Sequence, residues 1–156
     1  WIVPWLDFRW VANPELMTIP ADATTHHSFE GVIPQSVQAL SSGAIALDGE
    51  TEVLSILPHM HKLGRTIEMS VLREDGSTES VLRVPEYDFD WQQEYVFEEP
   101  LRLGPADKLR VDCWWDNTLD YRRERGVLPL DPTDARWGEG TYDEMCIAMV
   151  AVTGAE

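Results

Sequence analysis

Thr66-Ile67-Glu68-Met69-Ser70-Val71, then Glu74-Asp75-Gly76-Ser77, then Val81-Leu82-Arg83-Val84 is the stretch that decides the fold class of this chain. The first segment alternates polar and apolar residues, the period of a strand with one face buried. The acidic, Gly-containing tetrapeptide reads as a hairpin turn, and the second apolar run stops at Pro85. Strand, turn and strand within about twenty residues predict an antiparallel pair.

The same rhythm continues on both sides. Residues 51–57 read as a strand leading directly to Pro58-His59. Tyr95-Val96-Phe97 reads as a short strand closed by Pro100, and Leu109, Val111 and Cys113 share one face of a strand that ends near Asp116-Asn117. Residues 145–152 are apolar at every position, which predicts a strand covered on both faces. Seven or more short strands with no βαβ rhythm predict an all-β chain, an antiparallel β-sandwich or jelly roll. Residues 117–143 form a long irregular connection, of a kind that tends to be functional, disordered or packed on a neighbour. Residues 1–10 hold Trp1, Trp5 and Trp10, too aromatic for a free tail, so residues 1–20 are expected to be an N-terminal packing segment or linker.

With 156 residues the chain is expected to be a single domain, residues 1–156. Its 44% hydrophobic and 26% charged residues describe an ordered globular protein. Twelve basic against 28 acidic residues give a net charge of −16, which argues against nucleic acid and anionic membrane surfaces as partners. No apolar run reaches the length of a membrane span. The start at Trp1 reads as a processed or trimmed end, with the domain as one piece of a larger protein. Two cysteines, Cys113 and Cys146, are compatible either with reduced thiols or with one disulfide.

Four histidines supply the metal chemistry available: His26, His27, His59 and His61. In a strand, residues two apart face the same side with α-carbons roughly 6.5–7 Å apart. His59 and His61 can therefore converge on one metal while Met60 points the other way. The plain alternative is a pair of partly exposed histidines at a strand end.

Pro58-His59-Met60-His61-Lys62-Leu63-Gly64 resembles the His-x-His-x-x-Gly segment in the C-terminal domain of the copper type II, ascorbate-dependent monooxygenases, the family of peptidylglycine α-hydroxylating monooxygenase and dopamine β-hydroxylase. Asp143-Glu144-Met145-Cys146 looks like the family's Glu-Met-Cys segment, and Cys113-Trp114-Trp115-Asp116-Asn117-Thr118 like its Cys-x-x-x-Asn-Thr segment. Residues 84–92 and 136–141 look like bacterial members of the group. The resemblance runs from about Leu54 to Val152.

The resemblance implies one copper ion held by His59, His61 and Met145, and a Cys113–Cys146 disulfide closing a loop of about 34 residues, worth about 3–4 kcal/mol by chain entropy. Two imidazoles and a soft thioether suit copper, Cu(I) above all, better than a structural zinc site. Strand alternation sets Met145 and Cys146 on opposite faces, which argues against a blue-copper centre. A cupin reading fails because Arg65 and Thr66 stand where a ligand carboxylate belongs and no histidine follows His61. His26 and His27 lie in an early strand and are expected to be surface or packing residues, since four histidines do not build a second site of the family's adjacent-histidine type.

The expected function is that of the catalytic copper domain of a monooxygenase, activating O2 to hydroxylate a C–H bond of a small substrate. The resemblance further implies ascorbate or another reductant, an N-terminal electron-transfer copper domain as partner, and a secreted or periplasmic setting. The alternative is a copper-binding or interaction module without turnover, and a third reading is a ligand-binding sandwich with fortuitous histidines. The family's peptidylglycine branch has an arginine two residues before its His-x-His, and an Asn and a Tyr after its Met-Cys. Those positions here are Leu57, Ile147 and Met149, so a glycine-ended peptide is not the expected substrate.

Overall fold

The computed structural model describes residues 6–11, 18–31 and 51–154. Ten strands and one helix follow in order: β1 (Leu6–Val11), β2 (Thr18–Ile19), β3 (Thr24–Gly31), β4 (Thr51–Met60), β5 (Gly64–Leu72), β6 (Thr78–Val84), β7 (Tyr95–Leu103), β8 (Lys108–Asp116), α1 (Leu119–Arg125), β9 (Ala135–Arg136) and β10 (Cys146–Gly154). Among the described residues, two four-stranded antiparallel sheets form, ordered β1-β10-β4-β7 and β3-β8-β5-β6, with β2 and β9 as a separate short pair. Setting that pair aside, the eight long strands cross from sheet to sheet at every connection except the β5–β6 hairpin, the order of a jelly roll, as expected.

The core lies between the sheets because alternate side chains of each strand point inward. Val53, Met60, Ala148 and Val150 on one sheet, and Ile67, Met69, Val71, Leu109, Val111 and Trp115 on the other, are all at most 1% exposed. Cys113 of β8 and Cys146 of β10 meet across this core in a disulfide, Cα–Cα 6.0 Å, that ties the two sheets together. The hairpin β5–β6 turns through residues 74–77 as predicted, with Gly76 at φ 83°, a left-handed conformation that glycine adopts without steric cost.

Four expectations need adjustment. Pro100 does not close a strand: β7 continues to Leu103. Its ladder with β4 jumps from Val96↔Ser55 to Leu101↔Val53, so residues 97–100 bulge on an edge strand where a missing N–H costs little. Strand β10 begins at Cys146 and is not fully covered on both faces, since Met145, Ile147 and Met149 are half-buried while Cys146, Ala148 and Val150 are buried. Residues 6–11, within the segment expected to pack or link, form a sheet strand running antiparallel to β10 from Leu6↔Thr153 to Val11↔Ala148. Trp1 and Trp5 lie outside the described residues. The long connection contains α1, capped by the Thr118 hydroxyl accepting from the Tyr121 amide and ended by Gly126 in the left-handed region.

Asn117 locks that connection in place. Its buried amide donates to the carbonyls of Pro20 (2.9 Å), Thr133 (2.9 Å) and Ile19 (3.3 Å), and its carbonyl accepts from Arg122 Nε at 2.7 Å. One side chain thus joins the end of β2, helix α1 and the segment before β9. No helix among the described residues is long and apolar enough to cross a membrane.

Candidate metal centre

His59 lies near the end of β4, and His61 stands just beyond it, at the start of the turn into β5. Strand β10 runs alongside, with Cys146↔Met60 and Ile147↔His59 in register. Met145 and His61 are the residues just beyond this last pair. Directly paired residues of an antiparallel ladder share a face, so His59 and Ile147 lie on the outer face, while Met60 and Cys146, both 0% exposed, lie on the core face. The two histidine rings are brought together at this sheet corner. The imidazole centroids are 5.0 Å apart and the rings stand at 84°.

The turn is built to hold this geometry. The Gly64 amide donates to the His61 carbonyl at 3.1 Å. A Cβ at Gly64 would stand 2.8 Å from Met60 Cβ and 3.1 Å from the His61 carbonyl oxygen, which explains the glycine three residues after the second histidine. Beneath the turn sits Glu144, 0% exposed. Its carboxylate accepts from the amides of Leu63 (2.6 Å) and His61 (3.0 Å) and from Trp115 Nε1 (3.0 Å). Burial pushes this carboxyl up to about 8, opposed by those donors and by the Met145 amide. Glu144 thus touches the backbone of both the second histidine and the methionine. In the sequence Glu144 stands out only as the second of two acids, Asp143-Glu144, just before an apolar strand.

Each histidine presents its Nδ1 to an acceptor. His61 Nδ1 lies 3.1 Å from the Asp143 carbonyl oxygen. A carbonyl only accepts, so His61 carries its proton on Nδ1 and its lone pair on Nε2. Burial lowers the His61 pKa, the Asp143 carbonyl opposing, so the neutral ring is favoured. His59 Nδ1 lies 2.7 Å from Gln92 Oε1. Met60, between them, has both its amide and its carbonyl bonded to the Tyr87 hydroxyl. Burial pushes the Tyr87 phenol up to about 12.

Among the described residues, no three His, Cys, Asp or Glu side chains come together as a metal cluster. A third protein donor to a metal at His59 and His61 would come from another residue type, and Met145, the residue before Cys146, carries a thioether at this end of β10. Two Nε2 lone pairs and a thioether fit a soft, low-coordinate copper ion. Cys146 is spent in the disulfide and buried on the other face, so it is not a ligand.

His26 and His27 are elsewhere, on β3 of the other sheet. His26 stacks on Trp114 at 4.3 Å and its Nε2 lies 3.0 Å from Asp112 Oδ1; His27 Nε2 lies 3.1 Å from the Thr18 carbonyl. Both have the packing roles expected of them.

The chain matches the family described as copper type II ascorbate-dependent monooxygenase, C-terminal domain, over residues 13–152. It belongs to that family. Members are copper- and ascorbate-dependent monooxygenases. A curated relative, DBH-like monooxygenase protein 1 of Gallus gallus, is 28% identical over 96 residues, which is 62% of this chain and 14% of the relative. The chain thus spans a small part of that protein's length. Among solved structures, dimeric latent PorU from Porphyromonas gingivalis matches 98% of this chain and 13% of its own, at 11% identity and a TM-score of 0.28. That likeness is too slight to carry any argument.

Proposed function

We propose that this domain is the copper-holding, catalytic half of a copper-dependent monooxygenase, with His59, His61 and Met145 as the ligands of one copper. The observation that carries the reading is the arrangement at the β4–β10 corner. Two imidazoles have their Nδ1 atoms engaged by Gln92 Oε1 and by the Asp143 carbonyl oxygen, and Met145 is the residue just before the Cys146↔Met60 pair.

When bound, copper would supply dioxygen binding and one-electron chemistry at an open coordination position. The chain's own residues hold the two rings through Nδ1, His59 by Gln92 and His61 by the Asp143 carbonyl. Hydroxylation places one oxygen atom of O2 into a substrate C–H bond and releases the other as water, consuming two electrons and two protons. One metal site holds one of those electrons, so ascorbate, another reductant or a second copper domain supplies the other. Leu57, Ile147 and Met149 line the outer face beside the histidines, half-buried and without charge, which favours a substrate less polar than a peptide carboxylate. The disulfide favours a secreted or periplasmic setting.

The deciding experiment is copper stoichiometry with Cu(I) X-ray absorption on the purified chain, beside Met145→Leu. One copper with nitrogen and sulfur neighbours, the sulfur lost in the variant, supports the site. No stoichiometric copper, or no sulfur, rejects it. One copper without O2 consumption, even with ascorbate and a reduced copper donor domain, would favour the alternative, a binding module without turnover.

A further inference from the structure

Side chains of residues 87–92, between β6 and β7, touch every residue from His59 to Lys62. Gln92 bonds the His59 ring at 2.7 Å, and Tyr87 bonds both backbone groups of Met60. The Phe89 ring meets the His61 ring edge-on at 5.7 Å and 88°. Asp90 pairs with Lys62 at 3.0 Å, whose ammonium also lies 4.7 Å over the Phe89 ring. The backbone of this segment meets a strand where the Tyr87 amide donates to the Arg65 carbonyl of β5 at 2.8 Å, and Trp91 is 74% exposed. The segment's side chains cover the end of β4 that β7 leaves open, because the β4–β7 ladder stops at Ile56↔Tyr95.

From this geometry we infer that Gln92 is a positioning residue that fixes the tautomer of His59. The chain of logic begins at Phe89. The Phe89 carbonyl only accepts, and Gln92 Nε2 donates to it at 2.8 Å. That bond fixes the side-chain amide so that Oε1, an acceptor, faces His59. His59 must then carry its proton on Nδ1 and expose the Nε2 lone pair outward. His61 reaches the same tautomer through a backbone carbonyl that no side-chain change removes. His59 depends on one exposed glutamine, so it is the ligand whose readiness rests on residues 87–92. An orienting partner of this kind typically changes metal affinity 10–100-fold.

The consequence for copper rests on the proposed metal site; the tautomer assignment does not. Long-range proton–nitrogen correlation on histidine-labelled full chain at about pH 8, where an ordinary imidazole is neutral, reads each ring directly without metal. The wild type should show His59 and His61 both protonated at Nδ1. Gln92→Leu should move His59 toward the Nε2-protonated form and leave His61 unchanged. Gln92→Glu, which keeps an acceptor, should retain the Nδ1 proton on His59. In parallel, Gln92→Leu should weaken Cu(I) about 10–100-fold, with Gln92→Glu recovering most of the loss. An unchanged His59 tautomer in Gln92→Leu, or a wild-type His59 protonated at Nε2, overturns the inference. A wild type that takes up no copper rejects the metal reading, while the tautomer series still decides the role of Gln92.

Discussion

The Tyr87 hydroxyl donates to the Met60 carbonyl at 2.8 Å and accepts from the Met60 amide at 3.0 Å, so one phenol completes the backbone hydrogen bonding of the residue between the two histidines. Strand β7 has already left β4 at this level, and without Tyr87 both groups would be buried and unpaired. Tyr87→Phe should therefore destabilise the domain by about 1–3 kcal/mol, the cost of orphaned buried polar groups. Urea unfolding monitored by tryptophan fluorescence measures this, and a loss within error of zero would mean that water replaces the phenol.

The same tyrosine sets an alkaline pH dependence. Its phenol is pushed up to about 12 by burial, whereas an unfolded tyrosine titrates near 10. The folded state holds this proton more tightly, so the contribution is fully present below about pH 10 and is lost as pH rises toward 12. Stability should fall across that window in the wild type and fall less in Tyr87→Phe. Parallel curves for the two proteins would contradict the assignment.

Met145 carries the only soft donor in the proposed ligand set. Met145→Leu keeps the volume, so folding should change by under about 1.5 kcal/mol, while Cu(I) affinity drops far more than Cu(II) affinity. Competition titrations with each ion separate the two. Equal loss for both ions would make Met145 a packing residue. His59→Ala or His61→Ala should abolish stoichiometric copper.

Glu144 ties the His61-Leu63 backbone to Trp115 from a site with no solvent. Glutamine at this position would turn an amide N–H₂ against N–H donors. Glu144→Gln should cost about 1–3 kcal/mol or more and loosen the turn, visible as faster amide exchange at His61 and Leu63. Exchange rates matching the wild type would show that the turn stands without it.

The disulfide bridges residues 33 apart in sequence and joins the two sheets. The Cys113→Ala, Cys146→Ala double variant should lose about 3–4 kcal/mol while retaining copper, because neither sulfur belongs to the site. Loss of copper from a still-folded double variant would tie the bridge to metal binding directly.

What the sequence determined by itself is what local period and motif encode. Alternation in residues 66–71, the turn at residues 74–77 and the His-x-His spacing fixed strand type, hairpin and the shared face of two ligands, because a strand repeats every two residues whatever it packs against. The family resemblance supplied the distant members of the set, Met145 and the cysteine pair. Tertiary structure decided the rest. Pro100 sits inside β7 because the β4–β7 ladder bulges there, and the bulge shows only once the two strands are paired. Helix α1 forms within a stretch read as irregular, where Asn117 gathers three carbonyls from segments 16 to 98 residues away in sequence. The supports of the candidate metal centre are equally distant: Tyr87 is 27 residues from Met60, Gln92 is 33 from His59 and Glu144 is 83 from His61. Hydrogen-bond partners so far apart leave no periodic trace, so only the folded sandwich reveals which polar side chains hold the histidines in place.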